Sequence, residues 1–98
     1  QNITFSNHVY ISDFIEKKVI QMMPKHLVLL FSSVSHIDVS AVHLLENLIS
    51  TLKSKGVILS LAEVKGPVMD TLNKTQLVEE LHPGKIYFNI SDAIADLT

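Results

Sequence analysis

Apolar residues follow two rhythms along this chain, short continuous runs and longer stretches with three-and-four spacing. Ile3 to Phe5 reads as a short strand or the end of one. In "SNHVYISDFIEKKVIQMM" the apolar positions Tyr10, Phe14, Ile15, Val19, Met22 and Met23 recur at helical spacing, with Ser6 or Asn7 as N-cap. Pro24 stops that helix, and "HLVLLF" is a continuous apolar run of strand length, as a strand covered on both faces of a parallel sheet requires. Residues 26–31 are therefore the expected central strand. Ala41, Leu44, Leu45, Leu48, Ile49 and Leu52 then line one face of a second helix, which ends at Lys53 and Lys55 before Gly56. A second apolar strand is expected over 57–62 in "VILSLA". Pro67 suits the first turn of a shorter third helix carrying Val68 and Leu72. After the "HPGK" turn, "IYF" at 86–88 reads as a last short strand and "SDAIADL" as a closing helix capped by Ser91.

The order is βαβαβαβα, with short connections. Such alternation predicts a single α/β domain with a mainly parallel sheet and right-handed crossovers, in which Leu29, Leu45, Leu48 and Leu59 share one core. The abrupt start inside the first strand suggests a domain cut from a longer protein.

Composition narrows the function. The 98 residues are 47% hydrophobic, which suits one core. Eight basic against ten acidic side chains give a net charge of -2, and no Lys/Arg run forms the stripe that a nucleic-acid backbone requires. There is no cysteine, which removes disulfides, thiolate metal sites and thiol nucleophiles. The apolar runs are far shorter than the ~18 residues that span a bilayer, so the domain itself is expected to be soluble. The five histidines are scattered, without the spacing of a zinc site. No metal or cofactor is expected. Asn2, Asn73 and Asn89 each begin an N-x-[ST] triplet, but the missing signal segment argues against glycosylation.

The chemistry-bearing stretch is "SHIDVSAVHLL", residues 35–45. Its Asp38, Ser40 and His43 allow three readings. As nucleophile, base and orienting acid they outline a hydrolytic set, but a triad also needs a pocket with oxyanion donors, and three residues packed into six positions seldom provide that geometry. As helix punctuation, Asp38 or Ser40 caps the second helix by accepting backbone N–H bonds. As a switch, a phosphate on Ser40 would be held by the free N–H groups and dipole of the helix N-terminus.

The chain also resembles the STAS domain, shared by anti-sigma factor antagonists and by the cytoplasmic C-terminal domains of SulP-type anion transporters. "IDVSA" stands where the antagonists carry a D-S-S-G loop between the central strand and the next helix. Asp38 and Ser40 match its first and third positions, while Val39 and Ala41 depart. "ITFSN" is similar to the L-Y-F-A-N type segment of the transporter branch, with Asn7 on its asparagine. "LAEVKGPVMDTLNKTQL" is similar to A-x-V-K-G-P-V-x-D-x-L-x-x-S-G-L, with Thr75 and Gln76 in place of Ser-Gly.

The resemblance covers almost the whole chain. It implies a single STAS domain over 1–98, a four-turn βα superhelix with no catalytic centre, acting by contact on the cytoplasmic side of the membrane as a regulatory domain of a sulfate or other anion transporter. It further implies Ser40 with Asp38 as the candidate phosphoacceptor loop, and His36, Val39, Ala41 and Asn7 as its interaction residues. The implied partners are the transporter's own membrane domain, a second copy in the transporter dimer, and a cytosolic protein such as acyl carrier protein. The alternative is a free-standing antagonist-like signalling protein switched at Ser40.

Overall fold

The computed structural model of the chain describes Asn2, Ile3 and residues 24–98. The helix expected between Ser6 and Met23, its cap, and the strand residues Thr4 and Phe5 lie outside the described residues. The described elements are β1 (Asn2–Ile3), β2 (His26–Leu30), β3 (His36–Ile37), α1 (Val39–Ser54), β4 (Ile58–Ala62), α2 (Gly66–Asn73), α3 (Leu77–Leu81), β5 (Ile86–Tyr87) and α4 (Ile90–Leu97). All their pairings are parallel.

β2 and β4 pair along their full length, from His26 opposite Ile58 to Leu30 opposite Ala62. β5 joins the other edge of β4, with Leu61 opposite Ile86 and Ala62 opposite Tyr87. Among the described residues β4 occupies the middle of this three-stranded sheet, and β2, the strand expected to be central, lies at its edge. Continuous apolarity does not separate the two strands. Their burial does: β4 is buried from Leu59 to Ala62, whereas β2 is half-buried through Leu27, Val28 and Leu29 and exposed at both ends. β1 pairs with β3 in a separate two-stranded ladder, Asn2 opposite His36 and Ile3 opposite Ile37.

Side chains paired across a parallel ladder share a face, and successive ones alternate. Leu59 and Leu61 thus lie with Leu27, Leu29 and Ile86 on the face that carries the main core, where Leu45, Leu48 and Leu59 are buried as expected. Leu29, on β2, is half-buried and packs against this core. The opposite face presents Ser60, Ala62, Val28, Leu30 and Tyr87. Ser60 is the one buried polar residue among those described, and its Oγ accepts the Lys85 N–H at 3.0 Å.

α1 shows how local signals set an element's ends. Its buried stripe is Ala41, Val42, Leu45, Leu48, Ile49 and Leu52, with Val42 taking the place expected of Leu44, which is half-buried. At its end Gly56 adopts φ +77°, a conformation that glycine enters without steric penalty. The Gly56 N–H then reaches the Lys53 carbonyl and the Val57 N–H the Leu52 carbonyl, the two bonds of a Schellman motif, with Val57 and Leu52 both buried.

Two elements escaped the periodicity. α3 is five residues long, too short to show a repeat, but Leu77 and Leu81 lie one turn apart and both enter the core. β3 is two residues inside a polar stretch, anchored by buried Ile37. One cap also moves. α4 begins at Ile90, and the Asn89 side chain accepts the Asp92 N–H at 2.8 Å, so Ser91 is a helical residue and Asn89 is the cap.

Leu45 is 2% exposed and bordered by other core residues. Leu45→Ala is expected to lower unfolding free energy by about 2–4 kcal/mol through cavity formation. At Gly84 the reason is contact: a Cβ there would fall on the Leu59 carbonyl oxygen and within 2.9 Å of the Leu81 carbonyl oxygen. Both obstacles are backbone, so Gly84→Ala is expected to lose about 3 kcal/mol. Urea titration of each variant checks both values, and a shift under about 1 kcal/mol at Gly84 would mean the turn relaxes freely.

Candidate functional site

The stretch singled out above runs from β3 into α1. Pairing with β1 and the burial of Ile37 fix its incoming end, which leaves His36 exposed beside it. Asp38 follows in extended conformation, φ -89° and ψ 164°, and its Oδ1 accepts the Ala41 N–H at 2.7 Å. The Asp38 carbonyl accepts the Val42 N–H at 3.1 Å. Asp38 is thus the N-cap of α1, with an anionic acceptor at the positive end of the helix dipole.

Val39 and Ser40 occupy the first two helical positions and both face solvent, Val39 with 51% of its surface exposed. Ala41 does not. It is wholly buried against the core, which corrects its assignment to the interaction residues: a methyl at this position packs, and a partner cannot reach it. Asn7 lies outside the described residues.

The hydrolytic set is not brought together. Asp38 directs its carboxylate to the Ala41 N–H, and the exposed His43 pairs through Nδ1 with Glu46 Oε1 at 3.1 Å, one turn further along α1. Neither side chain is turned to Ser40. Among the described residues, no three His, Asp or Glu side chains cluster as metal ligands. What the arrangement offers is a serine hydroxyl presented at a capped helix start, beside an exposed apolar residue.

Next to it lies an open groove of about 430 Å³, which periodicity did not reveal. Val39, His43 and Glu46 form one wall and Lys74, Thr75 and Gln76 the other. The second wall is held by Thr75, whose Oγ1 donates to the Leu72 carbonyl at 2.8 Å and accepts the Leu77 N–H at 3.2 Å, tying the end of α2 to the start of α3. Thr75 and Gln76 are the positions that depart from the Ser-Gly of the transporter-branch pattern, and Val39 departs from the loop pattern. The two departures, 36 positions apart in the chain from Val39 to Thr75, meet in this groove.

The parallel α/β sheet thus carries a serine-bearing, aspartate-capped helix start beside a surface groove. The family comparison agrees: the STAS domain model matches residues 1–93, and the chain belongs to the STAS family. The chain is 33% identical over 103 residues to high affinity sulfate transporter 2 of Stylosanthes hamata, covering 95% of this chain and 16% of that protein. It is equally similar to high affinity sulfate transporter 1 of the same organism, 33% over 103 residues, covering 95% of this chain and 15% of that one. The chain therefore spans about one sixth of these relatives' length. Among solved structures it superposes on a sulfate transporter family protein from Wolinella succinogenes with a TM-score of 0.76 at 25% identity, covering 98% of this chain and 80% of that one. The STAS domain of a SulP transporter from Vibrio cholerae gives a TM-score of 0.77 at 19% identity, with 99% and 78% covered. The latter likeness confirms the fold.

The cap makes a testable distinction. Asp38→Ala is expected to lower stability by about 1 kcal/mol, and Ser40→Ala by less than about 0.5 kcal/mol. Equal losses in thermal or urea unfolding would show that the serine shares the capping.

Proposed function

We propose that this chain is the regulatory STAS domain of a SulP-type transporter of sulfate or a related anion. It carries no catalytic centre, lies on the cytoplasmic side of the membrane, and acts through contacts made by the loop around Ser40. The observation that carries the reading is the 33% identity to two sulfate transporters over nearly the whole chain, together with the exposure of Ser40 at a capped helix start. Among the described residues no helix is long and apolar enough to cross a membrane, so transport would reside in another part of the protein. In this reading the domain meets the membrane portion of its own transporter, and its copy within a transporter dimer. His36, Val39 and Ser40 supply the exposed contact residues, and a cytosolic protein such as acyl carrier protein is a further candidate partner.

The groove gives this surface its extent. A partner that reads Ser40 also meets Val39 and, across the groove, Lys74 and Gln76. Phosphate on Ser40 would add nearly two negative charges beside the Asp38 carboxylate, and repulsion between them would change the surface without dismantling the core.

Ser40→Asp mimics part of that change. Its charge falls in the first turn of α1, where the helix dipole tolerates it, so stability is expected to stay within about 1 kcal/mol of the parent. Sulfate uptake by cells expressing the full-length protein should be altered by Ser40→Asp and much less by Ser50→Asp, an exposed position farther along α1. Uptake identical to the parent for both variants would remove the regulatory role of the loop. The gene is also expected to encode about ten or more apolar stretches of spanning length outside this domain. Their absence would favour the free-standing signalling protein.

A further inference from the structure

The last helix, α4, meets the sheet with little apolar burial. Ala93 is its one buried residue, whereas Ile94 is 56% exposed, Ile90 is 36% exposed, and Phe88 just before it is 86% exposed. At 100° per residue, Ile90, Ile94 and Leu97 fall on one flank of the buried Ala93 line and Asp96 on the other. An eight-residue helix is marginal by itself, so polar ties have to supply what burial does not.

Two carboxylates supply them. Asp96 Oδ2 accepts the Tyr87 hydroxyl at 2.5 Å and Lys85 Nζ at 3.2 Å, which fastens that flank to β5. The Tyr87 hydroxyl and then the Lys85 ammonium hold the Asp96 carboxyl below the usual carboxylate range, and the same hydrogen bond raises Tyr87. Glu63 holds the other end. Its N–H donates to the Tyr87 carbonyl at 3.1 Å, and its Oε2 accepts the Ile90 N–H at 3.2 Å, one of the helix-start donors that Asn89 leaves over. Glu63 makes both bonds from φ +59°, in the left-handed region that non-glycine residues enter at a cost and keep only where their surroundings demand it. It occupies a variable position of the A-x-V-K-G-P-V pattern, so this tie belongs to the chain and not to the pattern.

We propose that α4, with Phe88 and Asn89, is a separately opening unit of the domain and that Glu63 is its latch. With the latch released the helix lifts from the sheet, Ile90 and Ile94 are freed on a short amphipathic segment, and the sheet face under Ala93 is uncovered. The main core, on the opposite face, is left intact.

Amide hydrogen exchange followed residue by residue by NMR on this 98-residue chain tests it. The amides of residues 94–97 are expected to exchange at least about tenfold faster than those of Leu48, Ile49 and Leu52 in α1, as a subglobal opening requires. Glu63→Asn keeps a residue that tolerates the left-handed conformation but shortens the side chain out of reach of Ile90. It should speed exchange over 94–97 about fivefold while the α1 rates hold. Glu63→Gly, which relieves the backbone and removes the carboxylate together, should act in the same direction and serves if the asparagine variant fails to fold. The proposal is overturned if α4 exchanges in step with α1 in the parent, or if removing the carboxylate leaves residues 94–97 unchanged.

Discussion

The backbone of β4 is the seam through which the larger sheet is joined. Along one edge it pairs with β2 over five consecutive residues, and along the other it receives β5. The bonds continue past the strand: Ile58 N–H reaches the Lys25 carbonyl, Phe31 N–H the Ala62 carbonyl, Leu61 N–H the Lys85 carbonyl and Glu63 N–H the Tyr87 carbonyl. A strand placed this way has no water to satisfy its peptide groups, so each must find a protein partner. Side chains obey the same constraint. Leu59 and Leu61 enter the main core, Ala62 is small, and the one hydroxyl, on Ser60, accepts the Lys85 N–H at the approach to β5. Even the turn before β5 is shaped by it, since Gly84 lies so close to the Leu59 carbonyl that no side chain fits.

The candidate surface follows from the same strand arrangement. In a parallel sheet with short crossovers every helix begins near the carboxyl ends of the strands, where binding loops gather. α2 and α4 start there, after β4 and β5, and α1 starts at the carboxyl end of β3 in the separate ladder. Their starts are handled differently: Asp38 and Asn89 cap α1 and α4 with side chains, Pro67 lies in the first turn of α2, and Glu63 reaches from the end of β4 to the start of α4. The Asp38 cap fixes the backbone of the Ser40 loop at the start of α1. With its carboxylate engaged by a backbone N–H and His43 engaged by Glu46, the loop presents Ser40 and Val39 outward from a defined scaffold.

The groove beside that loop joins segments that have no relation in sequence. Val39, His43 and Glu46 come from α1, whereas Lys74, Thr75 and Gln76 lie in the link between α2 and α3. α1 packs against α3 in the core through the residues on its buried stripe, and Lys53 Nζ reaches the Glu80 carbonyl on their surface. The groove is the gap left at the solvent side of this packing. The exposed face of α1 therefore acquires a second wall only because its buried face has found α3.

By itself the sequence determined whatever depends on neighbours along the chain. The three-and-four spacing of α1, its Lys53 and Gly56 ending, the proline at the start of α2 and the strand character of 26–30 and 58–62 are all local signals, and the D-x-S loop with the K-G-P-V stretch was enough to indicate the family. Tertiary structure decided what depends on which surfaces meet. β2 and β4 are equally apolar, so only pairing could show that β4 takes the middle among the described strands. Ser91 and Asn89 are both good caps, so only the start of the helix could choose Asn89. Ala41 and Val39 flank the same serine, yet helix geometry turns one into the core and the other to solvent. Two-residue β3 and five-residue α3 carry too few side chains for a pattern and exist because Ile37, Leu77 and Leu81 find a core made by residues distant in the chain. Periodicity records the direction of burial along one element, and contact between elements is information that no single element contains.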